Sequence, residues 1–163
     1  MRQLLFILTL LIASSTAVAQ DMAAPQLEYV MQLRVLIDTP YSVGDTPHGR
    51  RVVVPITGGT FEGPRLRGAV LSGGADYQLV SADGRRTELE AIYSIRTDDG
   101  YIIHIRNRGI CINDRNVPYF KAAPQFEAPD GSPYAWLNDA LFICQPDPTP
   151  FKGGIILNVW KVK

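Results

Sequence analysis

PITGGTFEGPRLRGAVLSGGADYQ, residues Pro55 to Gln78, sets Gly58, Gly59, Gly63, Gly68, Gly73 and Gly74 among short apolar runs, with Glu62, Arg65, Arg67 and Asp76 as its only charged side chains. Glycine at this density is needed where the backbone takes positive φ, or where two strands pass too closely for a Cβ. The segment therefore reads as a sheet that folds back on itself through turns, bulges and sharp bends. It implies a β architecture and names no reaction.

Upstream, Leu27, Tyr29, Met31, Leu33, Val35 and Ile37 alternate with Glu28, Gln32 and Arg34, the pattern of a long half-buried strand. Downstream, strands are expected at Val52–Ile56, Leu66–Leu71, Tyr77–Val80, Thr87–Arg96, Tyr101–Asn107, Ala140–Cys144 and Ile155–Val162. Ser81-Ala82-Asp83-Gly84 and Asp98-Asp99-Gly100 carry the Asp-Gly hairpin signal. Asp38–Gly49 reads as a loop, and Asn113–Ser132 as the longest connection, able to fold over one end of the sheet as a lid. Pro133–Asp139 is expected to form the one short helical segment, with Ser132 as its cap.

So many short strands are too many for one open sheet. The expectation is an all-β chain: a single antiparallel β-barrel, a closed sheet of the calycin or lipocalin kind, spanning residues 27–163. Alternate polar positions on several strands suggest a barrel with a polar-lined cavity.

Further motifs carry a resemblance. Together with the glycine-rich segment they are Thr46-Pro47-His48-Gly49-Arg50-Arg51, Tyr93-Ser94-Ile95-Arg96-Thr97-Asp98-Asp99-Gly100, Arg106-Asn107-Arg108-Gly109 and Tyr134-Ala135-Trp136-Leu137-Asn138. The chain resembles domain of unknown function 3237, also called uncharacterised protein family 0311, over nearly all of its length after the first two dozen residues. The resemblance implies a compact β-barrel-like domain, with no catalytic residue set to transfer.

Residues 1–19 have Arg2, an apolar run from Leu4 to Ala13 and the ending Ala17-Val18-Ala19, the form of a secretory signal peptide cleaved before Gln20. The run is shorter than the roughly 20 residues a membrane helix needs. A periplasmic or secreted protein is expected, with no membrane association after cleavage and a disordered lead-in at 20–26. Removing Arg2 from 16 basic residues leaves fifteen against 16 acidic ones, a net charge near −1 that offers no field for nucleic acid. In an oxidising compartment Cys111 and Cys144 are expected to form a disulfide.

The strand around Tyr101–Arg108 puts His104, Arg106 and Arg108 on one face and Asn107 on the other. If the cationic face is inward, it offers a floor for an anion; otherwise Glu88 and Glu90 pair with these arginines across the hairpin. As catalytic candidates, Asp76 and Glu62 are possible bases, and His48 and His104 possible acids. Ligand-binding candidates are Arg50, Thr60, Arg65, Tyr77, Gln78, Arg96, Arg106, Asn107, Arg108, Tyr134, Trp136 and Asn138. No metal or other cofactor is expected, since two histidines lie far apart without clustered acids.

The expected function is binding of a small, partly apolar organic molecule with an anionic or oxygen-rich end. One alternative is an isomerase, cyclase or hydrolase using acid–base chemistry in the same cavity. Another is a structural protein forming a homo-oligomer without a ligand.

Overall fold

The computed structural model describes residues 23–163 except Arg115 and Val117. The expected signal peptide at 1–19 and the first residues of the lead-in lie outside the described residues. Residues 23–26 have no regular structure.

Ten strands follow in chain order: β1 (Leu27–Ile37), β2 (Tyr41–Thr46), β3 (Gly49–Glu62), β4 (Arg67–Val70), β5 (Gly74–Val80), β6 (Arg86–Thr97), β7 (Ile102–Ile112), β8 (Tyr119–Glu127), β9 (Phe142–Pro146) and β10 (Gly154–Val162). Neighbours run β1-β10-β9-β8-β7-β6-β4-β3, and β3 pairs back onto β1. The pairings are antiparallel, so the chain forms a closed eight-strand β-barrel. β4 and β5 both pair with β3 and β6, and act as one stave interrupted at residues 71–73.

The glycines make this closure possible. β3 must leave β5 and pass between β1 and β4, and it bends at Gly58-Gly59. Gly59 has φ +136°, and a Cβ there would lie 2.0 Å from the Arg34 carbonyl oxygen. No side chain fits that crossing. At Gly74 a Cβ would lie 2.5 Å from the Cβ of Tyr93, so the small residue on β5 admits the large one on β6. The two Asp-Gly turns form as expected, with Gly84 at φ +69° and Gly100 at φ +95°.

On most staves the apolar face points inward, reversing the expectation that the charged faces line the interior; β5 is the exception, turning Asp76 and Gln78 inward. Leu89, Ala91, Tyr93 and Ile95 of β6 pair with Gly109, Asn107, Ile105 and Ile103 of β7 on the inner surface. Met31, Leu33, Ile95, Ile103, Ile105, Leu137 and Val159 are almost wholly buried. Each large apolar side chain so placed contributes about 1.5–3 kcal/mol. Ile102, His104, Arg106 and Arg108 take the outer face, because enclosing unpaired charges costs far more than leaving them in water.

Three local expectations are corrected. In β1 a register shift between Tyr29 and Met31 turns Leu27 and Tyr29 outward while Met31, Leu33 and Val35 stay inside. Tyr41–Thr46, read as loop, is a strand hydrogen-bonded to β3 alone, outside the barrel circuit. Within the expected lid, Tyr119–Glu127 is β8, a full stave that buries Ala122, Pro124 and Phe126. Pro124 is tolerated because β8 and β9 share only the Ala122–Cys144 bridge, leaving the ladder sparse on that side.

The expected disulfide is also overturned, since Cys111 and Cys144 are both free thiols. Cys111 on β7 pairs with Phe120, and Cys144 on β9 pairs with Ala122, so β8 lies between them. Two strand spacings hold their Cα atoms roughly 10 Å apart, beyond the ~7 Å a disulfide spans.

One end of the barrel is closed. The expected helical segment is a single 3₁₀ turn, Ala135–Leu137, and Ser132 Oγ accepts from the Tyr134 amide at 3.2 Å. Leu137 and Tyr134 pack into the core cluster beside Phe126 and Phe142. The Asn138 carboxamide accepts from the Ala128 amide at 2.8 Å and donates to the Ala128 carbonyl at 2.9 Å, which holds the cap against the end of β8.

Candidate functional site

The core is not solid throughout. Toward the end opposite the 3₁₀ cap the interior widens into a cavity of about 140 Å³. Its wall is mainly apolar, with Val35, Ile37, Val54, Ile56, Leu89 and Phe120 among its residues, and its polar members are Asp76, Gln78, Tyr93 and Asn107. Such a volume is close to the ~150 Å³ apolar cavity that accepts benzene.

Strand register explains the opening. Asp76 of β5 pairs with Ala91 of β6, and Ala91 pairs with Asn107 of β7, so the three lie in one row on the inner surface. Alanine at the middle position leaves the space between the two polar side chains unfilled. In the next row Ala122 again presents a small side chain to the cavity, while Gly109 beside it lets β8 approach too closely for a Cβ. The row on the other side of Ala91, made of Tyr93, Ile105 and Phe126, carries large side chains, and with it the filled half of the barrel begins.

Asp76 is held by two donors. Its Oδ2 accepts from Gln78 Nε2 at 2.8 Å, and its Oδ1 accepts from the Glu90 backbone amide at 3.0 Å. The second bond forms in the stretch where the β5–β6 ladder is interrupted between Asp76–Ala91 and Leu79–Glu88, so the side chain satisfies a backbone group that no strand reaches. Burial pushes the Asp76 carboxyl above its ordinary range, and the two hydrogen bonds offset part of that rise. Burial also raises the Tyr93 phenol, reinforced by Cys144 and Asp76, so it stays protonated.

Asn107 is only 7 % exposed. Its Nδ2 points at the Cys144 sulfur at 3.8 Å, a long and weak contact, and its Oδ1 has no partner among the described residues. Burial pushes the Cys144 thiol up to about 12, so it is neutral at ordinary pH. A buried amide oxygen with no donor costs about 1–3 kcal/mol and calls for an explanation.

Of the residues singled out from sequence, the cavity thus gathers Asp76, Gln78 and Asn107. The others stand elsewhere. His48 is exposed in the β2–β3 turn, and Glu62 is exposed at the far end of β3. Arg50 shares the inward parity of Val52 and Val54, yet lies exposed at the rim. His104 is on the outer face, with Nδ1 3.3 Å from Ser94 Oγ. Thr60 and Arg96 are exposed on the outside.

The outer arginines pair across the hairpin with Glu90, as the second reading expected, while Glu88 pairs instead with Arg86 on its own strand. Glu90 accepts from Arg106 Nε at 2.8 Å and from Arg108 Nε at 3.0 Å. Chiefly because of the Arg106 hydrogen bond, the Glu90 carboxyl lies below its ordinary value. Arg65 stacks on Trp136 at 4.2 Å, and Tyr134 donates its hydroxyl to Asp99 at 2.9 Å, so these residues and Asn138 build the closed end.

A broader concavity of about 1000 Å³ runs over the outer face, past Tyr77, Arg108, Tyr119 and Trp160. It is larger, but it is open to solvent and its charges are already paired or screened. The inner cavity has the buried unpaired group and the desolvated carboxyl, and it is the stronger candidate. Among the described residues no cluster of histidine, cysteine or acidic side chains is arranged to hold a metal ion.

Reading faces from the residues missed Tyr93, Ala91, Leu89 and Phe120. The usable signal was to take each strand's apolar face as the interior and ask which polar residues share it, which returns Asn107 and Tyr93.

The sequence family described as Protein of unknown function (DUF3237) matches residues 25–162. The chain belongs to the DUF3237 family. A UPF0311 protein from Clostridium acetobutylicum is 34% identical over 150 residues, covering 83% of this chain and 92% of its own length. A UPF0311 protein from Rhodopseudomonas palustris is 35% identical over 136 residues, or 73% of this chain and 87% of the relative. Among solved structures, a β-barrel-like protein from Acinetobacter baumannii superposes with a TM-score of 0.78 at 29% identity, covering 88% of this chain and 99% of that one. A Penicillium herquei protein described as an enzyme superposes with a TM-score of 0.70 at 22% identity, covering 90% of this chain and 100% of that one. At that identity the likeness concerns the fold.

Proposed function

We propose that this member of the DUF3237 family binds a small, partly apolar organic molecule inside the barrel. The reading is carried by one observation: an interior cavity with an apolar wall and a few convergent polar groups, Asp76, Gln78, Tyr93 and Asn107. A barrel whose role is only structural gains nothing from leaving Asn107 Oδ1 unpartnered. The occupant fills the cavity with about one six-membered ring, and any larger body extends through the open end. With Arg106, Arg108 and Arg96 on the outer face, arginine clamping of an anionic end is not part of this reading. The same proposal sets the binding outside the cytoplasm, a reading supported by the leader-like pattern of the first nineteen residues.

The test is native mass spectrometry and crystallography of protein purified from its own host. A retained organic molecule within reach of Asp76 and Asn107 supports the reading. A cavity containing only water after exposure to host extracts overturns it.

A second reading is favoured by the raised Asp76 carboxyl. A desolvated base beside an apolar cavity suits proton transfer in an isomerase, cyclase or hydrolase. In that case Asp76→Asn abolishes turnover of the retained compound while binding persists. Unchanged turnover by the variant rejects it.

A further inference from the structure

The chemistry of the cavity's polar groups reaches further than the presence of a ligand. We infer that the head group recognised inside the barrel is an uncharged hydroxyl, donated to Asn107 Oδ1, and that Asn107 is the residue that sets this specificity. The inference rests on the reading of the cavity as a binding site.

The argument starts from the unpaired atom. Asn107 lines the cavity from the middle of β7, and its Oδ1 is a buried acceptor with no partner among the described residues. Only a donor relieves it. Both Asp76 oxygens already accept hydrogen bonds, from Gln78 and from the Glu90 amide, and the carboxyl is otherwise set among apolar side chains. Tyr93 adds a protonated phenol to the wall. A hydroxyl matches this set, since it donates one proton to Asn107 and accepts from Tyr93.

Charged head groups fit less well. A carboxylate meets the acceptors Asp76 and Asn107 and finds no cation in the lining, because Arg50 lies exposed at the rim and Arg106 and Arg108 point outward. An ammonium brings three donors into a mainly apolar chamber and must shed its hydration shell to enter, a cost that the Asp76 carboxyl, already accepting from Gln78 and the Glu90 amide, repays only in part. A purely apolar ring fills the volume and leaves Asn107 unpaired.

Four probes of one ring each separate these cases: phenol, toluene, benzoate and benzylammonium. Each is titrated into the purified protein, with binding followed through the backbone amide resonances of Ala91 and Asn107. Phenol is expected to bind at least about tenfold more tightly than toluene, because toluene leaves the buried acceptor unmet. Benzoate and benzylammonium are expected to be weaker than phenol. In Asn107→Leu the preference for phenol over toluene is expected to vanish.

Equal affinity for phenol and toluene overturns the hydroxyl assignment, as does tighter binding of either ion, and in each case the cavity still stands as a binding site. Failure of all four probes to bind removes the cavity reading and this assignment with it. A folded Asn107→Leu protein that still prefers phenol removes Asn107 from the specificity role. If the variant does not fold, the ranking of the four probes on the wild-type protein decides the hydroxyl assignment by itself.

Discussion

Asp76 on β5 and Asn107 on β7 face one cavity across Ala91, the residue paired with both. A polar–small–polar row on the inner surface of an otherwise apolar barrel keeps the interior from being packed shut. Two neighbouring strand spacings put roughly 10 Å between the backbones that carry the polar groups.

Ala91→Leu fills that gap. The variant is expected to stay folded, with a change in stability within about 1–3 kcal/mol, because its larger side chain enters existing space. Affinity for a cavity ligand is expected to fall at least about tenfold, or 1.4 kcal/mol. Urea unfolding and ligand titration of the same preparation check both expectations; undiminished affinity places the ligand elsewhere.

Asp76 makes stability depend on pH. Its folded pKa lies above the unfolded value of 3.8, raised by burial and held back by the Gln78 and Glu90 bonds. The folded state therefore binds this proton more tightly than the unfolded state. The contribution is complete below 3.8 and is lost as pH rises through the folded pKa. Relative to wild type, Asp76→Asn is expected to become progressively more stable as pH rises from 3.8 through the folded pKa. Denaturant midpoints at a series of pH values measure the difference, and a constant offset between the two proteins contradicts the burial argument.

Glu90 has the opposite sign and little weight. Its carboxyl is lowered by Arg106 and Arg108, so its contribution is present above the ordinary glutamate value and lost as pH falls through the folded pKa. Side-chain exposures of 46% for Arg106 and 64% for Arg108 mean that solvent screens the pairs. Glu90→Gln is expected to cost under about 1 kcal/mol, with the difference shrinking in high salt. A loss of several kcal/mol in the same unfolding assay shows that the outer cluster matters more than its exposure implies.

The cysteines are expected to behave as two independent thiols. Denatured, unreduced protein should titrate with two equivalents of thiol reagent, and reductant should leave the melting temperature unchanged. In the native protein Cys144, buried and pushed up to about 12, is expected to react far more slowly than Cys111. Absence of free thiol in the denatured chain contradicts the strand order β7-β8-β9.

Asn138 separates stability from binding. Asn138→Ala leaves the Ala128 amide and carbonyl without their partners, at a cost of about 1–3 kcal/mol. The cap is at the end away from the cavity, so ligand affinity is expected to change less than twofold, about 0.4 kcal/mol. Parallel loss of affinity in calorimetric titration would show that the two ends are coupled.

Much of the fold was legible in local pattern. The alternation of β1 from Met31 to Val35, the Asp-Gly turns at Gly84 and Gly100 and the bend at Gly58-Gly59 depend on neighbours within a few residues, and all appear in the barrel. β8 escaped notice because its inward residues include Ala122 and Pro124 rather than large β-branched ones, so its period of two was weak. β2 escaped because Gly44 interrupts its register and Tyr41 and Val43 face solvent, leaving no buried side to mark it.

The site was legible only in part. Asp76, Gln78 and Asn107 were singled out, but so were outward arginines and residues of the closed end, for one reason: alternation separates two faces and does not say which is enclosed. The charged face of β7, with His104, Arg106 and Arg108, was the more conspicuous chemistry, yet desolvation keeps it outside.

The order of the residues alone determined that the chain is all-β, that its sheet bends at glycines, and that it has the motifs of its family, because turns, alternation and close backbone passage are short-range constraints. Closure and register are long-range. Only they decided that Ala91 lies between Asp76 and Asn107, that β8 separates the two cysteines, and that a small chamber stays open at one end, since each depends on strands far apart in the chain meeting in a single alignment.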